Sequence, residues 1–250
     1  LLLARVDQAF QAQQHFVADA AHELRSPLAA LKLQAQALQR APDAAAREHA
    51  TARLAAGIDR ATRLVEQLLA LARHEAQATA GAPVQPVALA DLARQAVMDA
   101  APAAHARAID LGLAPLDAEV EQATVPGHAQ ALAILLRNLI DNAIRYTPEG
   151  GTVDVQVLRE GGHPGHLVLA VDDSGPGIPP GERERVLRRF HRAPAQGAPP
   201  TEGSGLGLAI ADAIARMHGA RLVLGTAPRL GGLRAAVHLP LAGGEGEGAA

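Results

Sequence analysis

The first third of the chain places apolar residues at the spacing of long amphipathic helices. A repeat of seven residues joins Phe10, Val17, Leu24, Leu31 and Leu38. The pattern predicts one helix from about residue 2 to 40 and a second from about 44 to 78, with Asp43 as the cap of the second helix. Two long helices joined by so short a turn form an antiparallel hairpin.

A single hairpin of this kind leaves most of its apolar stripe in contact with water. Two copies that pair in a four-helix bundle would bury the stripe, so we expect a homodimer. The alternative is a hairpin that packs on the C-terminal part of its own chain, which would leave the protein a monomer.

The rest of the chain mixes helix and strand patterns after a linker at 79–86, which contains Gly81, Pro83 and Pro86. Helices are predicted at about 89–103, 127–146, 181–189 and 205–218, and strands at about 108–113, 121–125, 152–158, 166–172, 220–226 and 233–239. This order predicts an α/β sandwich, in which helices cover one face of a single mixed sheet. We therefore divide the chain into a helical domain at 1–80, an α/β domain at 84–241 and a disordered tail at 242–250.

Composition excludes several classes of function. A net charge of −3 and 2% aromatic residues give neither a polyanion-binding surface nor a base-stacking platform, so nucleic acid is not an expected partner. The absence of cysteine excludes disulfides and thiolate metal sites. The chain starts at Leu1-Leu2-Leu3, already in helical register, and we interpret it as a fragment of a longer protein.

His22 lies on the outward face of the first predicted helix. At about 100° per residue, its side chain is about 140° away from the direction of Val17. Ser26, four residues later, shares this face. Glu23 places a carboxylate beside the imidazole, and Pro27 removes a backbone hydrogen bond and favours a kink one turn later. A lone histidine on a helix is usually only solvated, so His22 alone does not establish a reactive site.

The predicted helix at 127–146 carries Asn138, Asn142 and Arg145 on a face other than its apolar stripe. Side-chain amide oxygens are suitable ligands for Mg²⁺, and an arginine is suited to phosphate oxygens. An ordinary polar helix face is the alternative. Asparagine is nevertheless a poor helix former, and two of them on one face of a strong helix favour a function.

Two glycine-containing segments follow. The segment from Asp172 to Ile178 has a carboxylate at a strand end, which can accept a hydrogen bond from an exocyclic amine. Its glycines let the backbone approach a planar ligand closely. An ordinary turn is the alternative. Gly203 to Ile210 opens a helix, where backbone N–H groups suit a phosphate chain. It has the spacing neither of a P-loop nor of a dinucleotide-binding turn. The long loop before it, at about 191–203, is typical of a lid.

These stretches together resemble a known family. His-Glu-Leu-Arg-Ser-Pro-Leu at 22–28 resembles the H-box of sensor histidine kinases, and the three later stretches resemble the N, G1 and G2 boxes of the GHKL ATPases, in the order found in those kinases. The resemblance implies a dimerisation and phosphotransfer domain followed by an ATP-binding domain of the Bergerat fold, with ATP and Mg²⁺ as cofactors.

The resemblance also implies roles for individual residues. His22 would accept the phosphoryl group, with Glu23 and Ser26 as its catalytic neighbours; Asn142 would be the principal Mg²⁺ ligand, with Asn138 in support. The residues implied for ATP are Asn138, Asn142, Arg145, Tyr146, Asp173, Gly175, Gly177, Ile178, Arg189, Gly203, Ser204, Gly205, Leu206, Gly207 and Leu208. Among these, Asp173 would hold the adenine amine, and the lid would lie between Phe190 and Gly203.

The chain departs from the family pattern at a few positions. His191 and Leu187 stand where aromatic residues are common, and Leu233 follows Gly231-Gly232 where many members have a threonine. We therefore expect no threonine contact to adenine. Ser26 stands where threonine or asparagine is linked to dephosphorylation of the partner.

The implied function is ATP-dependent autophosphorylation of His22, followed by transfer to an aspartate in the receiver domain of a response regulator. The family plan also implies membrane helices upstream, so the chain would be the cytoplasmic part of a membrane-anchored receptor. Two alternatives remain open at this point: a GHKL clamp ATPase that phosphorylates no histidine, and a coiled-coil scaffold with a degenerate pocket.

Overall fold

The computed structural model describes residues 27–58, 61–62, 65, 84–159, 165–188, 191 and 205–241. The chain divides into two compact units, Leu1–Ala72 and Arg73–Ala250. Several predicted site residues lie outside the described residues: His22, Glu23, Ser26, Arg189, Gly203 and Ser204. Within the described part of the chain, no helix has the length and apolar character needed to cross a membrane.

The first unit contains a helical hairpin, as predicted. Its helices are α1, described over 27–39, and α2, described over 44–58 and helical again at 61–62 and 65. The predicted cap is confirmed, because Oδ1 of Asp43 accepts a hydrogen bond from the backbone N–H of Ala46 at 2.7 Å. Buried Gly57 of α2 lies close to α1, because an added Cβ there would lie 2.4 Å from Oε1 of Gln34.

The second unit contains seven strands and four α-helices in its described part. They are β1 (Gln85–Ala88), α3 (Leu89–His105), β2 (Asp110–Leu113), α4 (Ala118–Gln122), β3 (Thr124–Gly127), α5 (Ala129–Tyr146), β4 (Thr152–Leu158), β5 (His166–Asp173), α6 (Gly207–Met217), β6 (Leu222–Thr226) and β7 (Leu233–Pro240), with a 3₁₀ helix at Pro180–Glu182. Five strands form a mixed sheet in the order β2-β4-β5-β7-β6, in which only the β2–β4 pair is parallel.

The core lies between this sheet and its helices. The side chains of β4 alternate between half-buried and buried, as expected for a strand with one covered face. Helix α5 packs against α3 on one side and α6 on the other. Its predicted apolar stripe is confirmed, since Leu132, Leu135, Leu136, Leu139 and Ala143 are all buried. This stripe fixes the rotation of α5 and therefore the direction of its polar residues.

Three of the predicted elements are wrong in part. The strand expected at about 121–125 begins only at Thr124, as β3, because the residues before it form the short helix α4. Acidic residues in the first turn of α4 favour that helix. The helix expected at about 181–189 is only the 3₁₀ helix Pro180–Glu182 followed by turns, since Gly181 is a poor helix former. Part of the predicted linker is strand β1, which pairs antiparallel with β3 in a separate two-stranded sheet and tolerates Pro86 because it is an edge strand.

Candidate nucleotide-binding site

Helix α5 carries the polar residues that the sequence assigned to the nucleotide and the metal. Asn138 is only 6% exposed, and its Nδ2 donates to the carbonyl oxygen of Ile134 at 2.8 Å. Asn142, one turn later, is half-buried, as is Arg145. The C-terminal end of the helix is held by Arg107, whose Nη1 donates to the carbonyl oxygen of Arg145 at 2.8 Å.

Asp173 is buried at the end of β5 with one carboxylate oxygen held by the backbone. Its Oδ1 accepts hydrogen bonds from the N–H of Gly175 at 2.8 Å and from the N–H of Leu233 at 3.0 Å. Among the described residues both bonds reach Oδ1, which leaves Oδ2 to accept a hydrogen bond from a ligand amine. Burial raises the pKa of Asp173; the two backbone hydrogen bonds lower it, and the neighbouring Asp172 carboxylate raises it further.

Glycines bring the backbone close to Asp173 from two sides. A Cβ added at Gly232 would lie 2.3 Å from the carbonyl oxygen of Asp173 and 2.6 Å from the nitrogen of Gly175. A Cβ added at Gly175 would lie 3.0 Å from the carbonyl oxygen of Tyr146. Gly177 has a φ of +69° and faces the backbone of Gly232. The glycines therefore let these backbone segments pack closely against one another beside the carboxylate, where a larger side chain would not fit.

Ser174 connects this loop to the sheet. Its Oγ accepts a hydrogen bond from the backbone N–H of Thr152 at 2.9 Å, at the start of β4. A Cβ added at Gly151 would lie 2.7 Å from the same Oγ. The start of β4 and the loop after β5 are therefore fixed to each other at the residue that follows Asp173.

The N-terminus of α6 faces the polar side of α5. Gly205 has a φ of +68°, Leu206 is fully buried, and the helix begins at Gly207. A Cβ added at Gly207 would lie 3.4 Å from Oδ1 of Asn138. Because the side chain of Leu206 cannot accept a hydrogen bond, this N-cap residue satisfies none of the N–H groups of the first turn with its side chain. Such N–H groups suit phosphate oxygens.

The structure therefore brings together three of the predicted stretches: the polar face of α5, the carboxylate at the end of β5 and the N-terminus of α6. Sequence reasoning did not assign the backbone of Gly232 and Leu233 to this site. The glycine pair at 231–232 was visible as a turn signal, but its contact with Asp173 joins residues about sixty positions apart and leaves no local pattern.

The residues present fit a magnesium nucleotide. Within the described ranges, no group of three His, Cys, Asp or Glu side chains is placed to hold a metal ion. A cation at this site would therefore depend on the amide oxygens of α5 and on the phosphates of a nucleotide. Mg²⁺ is commonly held in this way, by one or two protein ligands, phosphate oxygens and water.

Comparison with known proteins assigns both parts of the chain to families. Residues 12–77 match the model of the His Kinase A (phospho-acceptor) domain. Residues 127–243 match that of the histidine kinase-, DNA gyrase B-, and HSP90-like ATPase. The two models cover the phosphoacceptor stretch and the site around Asp173, respectively.

Individual relatives agree with this assignment. Sensor protein QseC of Escherichia coli strain K12 is 41% identical over 237 residues, which are 94% of this chain and 49% of QseC. The histidine-protein kinase/phosphatase MprB of Mycolicibacterium smegmatis is 34% identical over 251 residues, 97% of this chain and 48% of MprB. A solved structure of a mycobacterial sensor histidine kinase MprB is 30% identical, with a TM-score of 0.51, and the match covers 63% of this chain and 97% of that one. The chain spans about half the length of the two curated relatives.

Proposed function

The chain belongs to the sensor histidine kinase family, and from this premise we propose that it phosphorylates its own His22 with ATP and then transfers the phosphoryl group to an aspartate of a response-regulator receiver domain. The observation that carries the proposal is that one chain contains both a phosphoacceptor-domain match that includes His22 and an ATPase-model match that includes the buried, backbone-held carboxylate of Asp173.

The adenine base is proposed to lie against the glycine-containing backbone beside Asp173. Oδ2 of Asp173 would accept a hydrogen bond from the exocyclic amine, while Gly175, Gly177 and Ile178 line the base. The phosphates are proposed to follow the N-terminus of α6 and the glycine-rich stretch before it. This stretch and its flanks supply Gly203, Ser204, Gly205, Leu206, Gly207 and Leu208, with Arg189 at the other end of the lid.

Asn142 is proposed as the principal ligand of Mg²⁺. Asn138 supports it from the buried turn below, where its Oδ1 faces the start of α6. When bound, Mg²⁺ would neutralise part of the phosphate charge and so favour attack on the γ-phosphorus. Arg145 and Tyr146, at the end of the same helix, would lie along the nucleotide.

At the phosphoacceptor, a neutral ring nitrogen of His22 attacks the γ-phosphorus in line. The new N–P bond forms as the bond between that phosphorus and the bridging oxygen breaks, and ADP leaves with the electron pair. Glu23 accepts the proton from the other ring nitrogen, which raises the nucleophilicity of the imidazole. Base assistance of this kind typically accelerates a reaction by about 10²–10⁴-fold.

The protein is proposed to act as a homodimer through its helical hairpin. Four large apolar side chains of the hairpin are strongly exposed in the single chain: Leu28 at 59%, Leu33 at 66%, Ile58 at 50% and Val65 at 41%. Pairing of two hairpins would remove such surface from water. The additional length of the relatives leaves room for the upstream membrane anchor that we propose for the full receptor.

The decisive experiment is incubation of the chain with γ-labelled ATP and Mg²⁺, followed by a test of acid stability. We expect a label that acid removes, because phosphohistidine is acid-labile, and a chain with His22→Gln that stays unlabelled. His49→Gln is the matched control, since His49 is an exposed histidine of α2 in the same unit, and it should label like the parent. Equal labelling of the His22→Gln chain would refute the proposal, and a nucleotide-binding chain without any label would indicate a clamp ATPase.

Dephosphorylation of the response regulator is a second candidate function, favoured by similarity to MprB, whose name includes a phosphatase. Incubation of a phosphorylated receiver domain with the chain and ADP would test it. We expect faster loss of phosphate than in the receiver alone, and Ser26→Ala should remove the acceleration.

A further inference from the structure

Arg183, in the turn after the 3₁₀ helix, connects two separate segments of the α/β domain. Its Nε donates to the carbonyl oxygen of Ile178 at 3.0 Å, in the loop after β5. Its Nη2 donates to Oγ1 of Thr226 at 3.0 Å, and its Nη1 lies 3.5 Å from the carbonyl oxygen of Leu224. One guanidinium group therefore joins the loop after β5 to strand β6.

The same two segments lead to the backbone donors that hold Asp173. The loop that contains Ile178 also contains Gly175, whose N–H donates to Oδ1 of Asp173. The second donor, the N–H of Leu233, begins strand β7 directly after the turn that follows Thr226.

The turn between β6 and β7 is itself closed by hydrogen bonds. The N–H of Ala227 donates to the carbonyl oxygen of Gly232, and the N–H of Gly231 donates to that of Ala227, each at 2.9 Å. A displacement of Thr226 is therefore passed to Gly232, which lies against Asp173 and faces Gly177.

We propose that Arg183 is a positioning residue for the nucleotide, which fixes the two glycine-containing segments to each other and so preserves the surface beside Asp173. The inference rests on the function proposed above, because it assigns the nucleotide to that surface. The task suits an arginine, since its planar group carries several donors in fixed directions and can reach two acceptors at once. A lysine in its place would carry all of its donors on one nitrogen atom, which cannot span the two segments as the guanidinium group does.

Loss of this connection should lower the fraction of molecules in which the site is assembled. The apparent dissociation constant of a ligand rises in proportion as the competent fraction falls. The two shorter hydrogen bonds are each of ordinary strength, so we expect Arg183→Ala to weaken nucleotide binding by about tenfold. The rate of autophosphorylation at saturating ATP should not change, because Arg183 lies outside the reacting groups.

The experiment compares Arg183→Ala, Arg183→Lys and Thr226→Val with the control Arg185→Ala. Arg185 lies in the same turn but pairs with Glu182 at the surface. Thr226→Val keeps the shape of the side chain and removes only the acceptor. For each chain, hydrogen exchange of the peptides that contain Gly175 and Leu233 is measured without nucleotide, and ATP binding is measured by calorimetry.

We expect faster exchange in both peptides and weaker binding for Arg183→Ala, with smaller changes for Arg183→Lys and Thr226→Val and none for Arg185→Ala. Adding Thr226→Val to Arg183→Ala should cause no additional loss, because the two residues form one connection. Exchange and affinity equal to those of Arg185→Ala, or losses that simply add in the double variant, would overturn the inference. A parent chain that binds no nucleotide would instead refute the proposed function, since the exchange measurement needs no ligand.

Discussion

Gly232→Ala gives a sharp test of the site, because the space for a methyl group is already filled by backbone. The added Cβ would lie 2.3 Å from the carbonyl oxygen of Asp173, 2.5 Å from its Oδ1 and 2.6 Å from the nitrogen of Gly175. A Cβ essentially never approaches such atoms closer than 3.0 Å, and two of the three are main-chain atoms that no rotamer change can move. The turn before β7 must therefore shift away from β5.

The shift should cost both stability and nucleotide affinity. Overpacking costs about 1–3 kcal/mol, and the hydrogen bond from Leu233 to Asp173 contributes about 1 kcal/mol more. Against this, a glycine-to-alanine change stabilises a protein by about 0.4–1 kcal/mol through the unfolded chain. We therefore expect a net loss of about 1–3 kcal/mol in the free energy of unfolding. Nucleotide affinity should fall at least about tenfold, since about 1.4 kcal/mol of lost contact at the base suffices for that.

Urea unfolding followed by circular dichroism measures the first quantity, and calorimetric titration with ATP and Mg²⁺ measures the second. Gly225→Ala is the matched control, because Gly225 lies in the same hairpin and an added Cβ meets no atom within 4 Å. If Gly232→Ala unfolded at the same urea concentration as Gly225→Ala and bound ATP equally well, the close approach around Asp173 would be wrong.

Two further predictions concern stability. Nε2 of His218 accepts the backbone N–H of His128, and burial first, then the neighbouring His128, lowers the pKa of His218. Because the pKa of His218 is lower in the folded than in the unfolded chain, neutral His218 contributes its full stability above the unfolded value, near pH 6.5, and this contribution is lost as the pH falls through the folded pKa. The urea midpoint should therefore drop more between pH 7.5 and 5.5 for the parent than for His218→Gln. Equal drops would contradict the buried, neutral state of His218. Asp43→Ala should lower the stability of the helical unit by about 1 kcal/mol through loss of the cap, with Asp43→Asn close to the parent in thermal unfolding at fixed chain concentration. Equal losses in both variants would show that the charge of Asp43, and not its capping oxygen, stabilises the unit.

Elements with a strong local period were predictable from the sequence. The stripe of α5 appears as five leucine and alanine positions on one helix face, so the helix and its buried side follow from spacing alone. Strand β4 was found for the same reason, since its valines alternate with polar residues. Short elements failed: β1 has four residues including a proline, and its identity depends on pairing with β3 rather than on its own composition.

The candidate site was likewise predictable only where its residues stand close together in the chain. Asp173 and the glycines after it stand together in the chain and could be assigned as a group. The second backbone donor to its carboxylate comes from Leu233, and the guanidinium group that joins the two segments comes from Arg183. Neither has a sequence signal, because a backbone N–H is present at almost every residue and a surface arginine is usually only solvated. Such contacts depend on strand order, which local patterns do not specify.

The order of strands also determines how the domain behaves toward other copies of itself. The edge strands of the five-stranded sheet are β2 and β6, and an exposed edge strand can template the addition of a foreign strand. The charged guanidinium group of Arg183 lies against the carbonyl oxygen of Leu224 in β6, and β2 has only four residues, one of them Gly112. Both edge strands are therefore poor templates for the addition of a foreign strand.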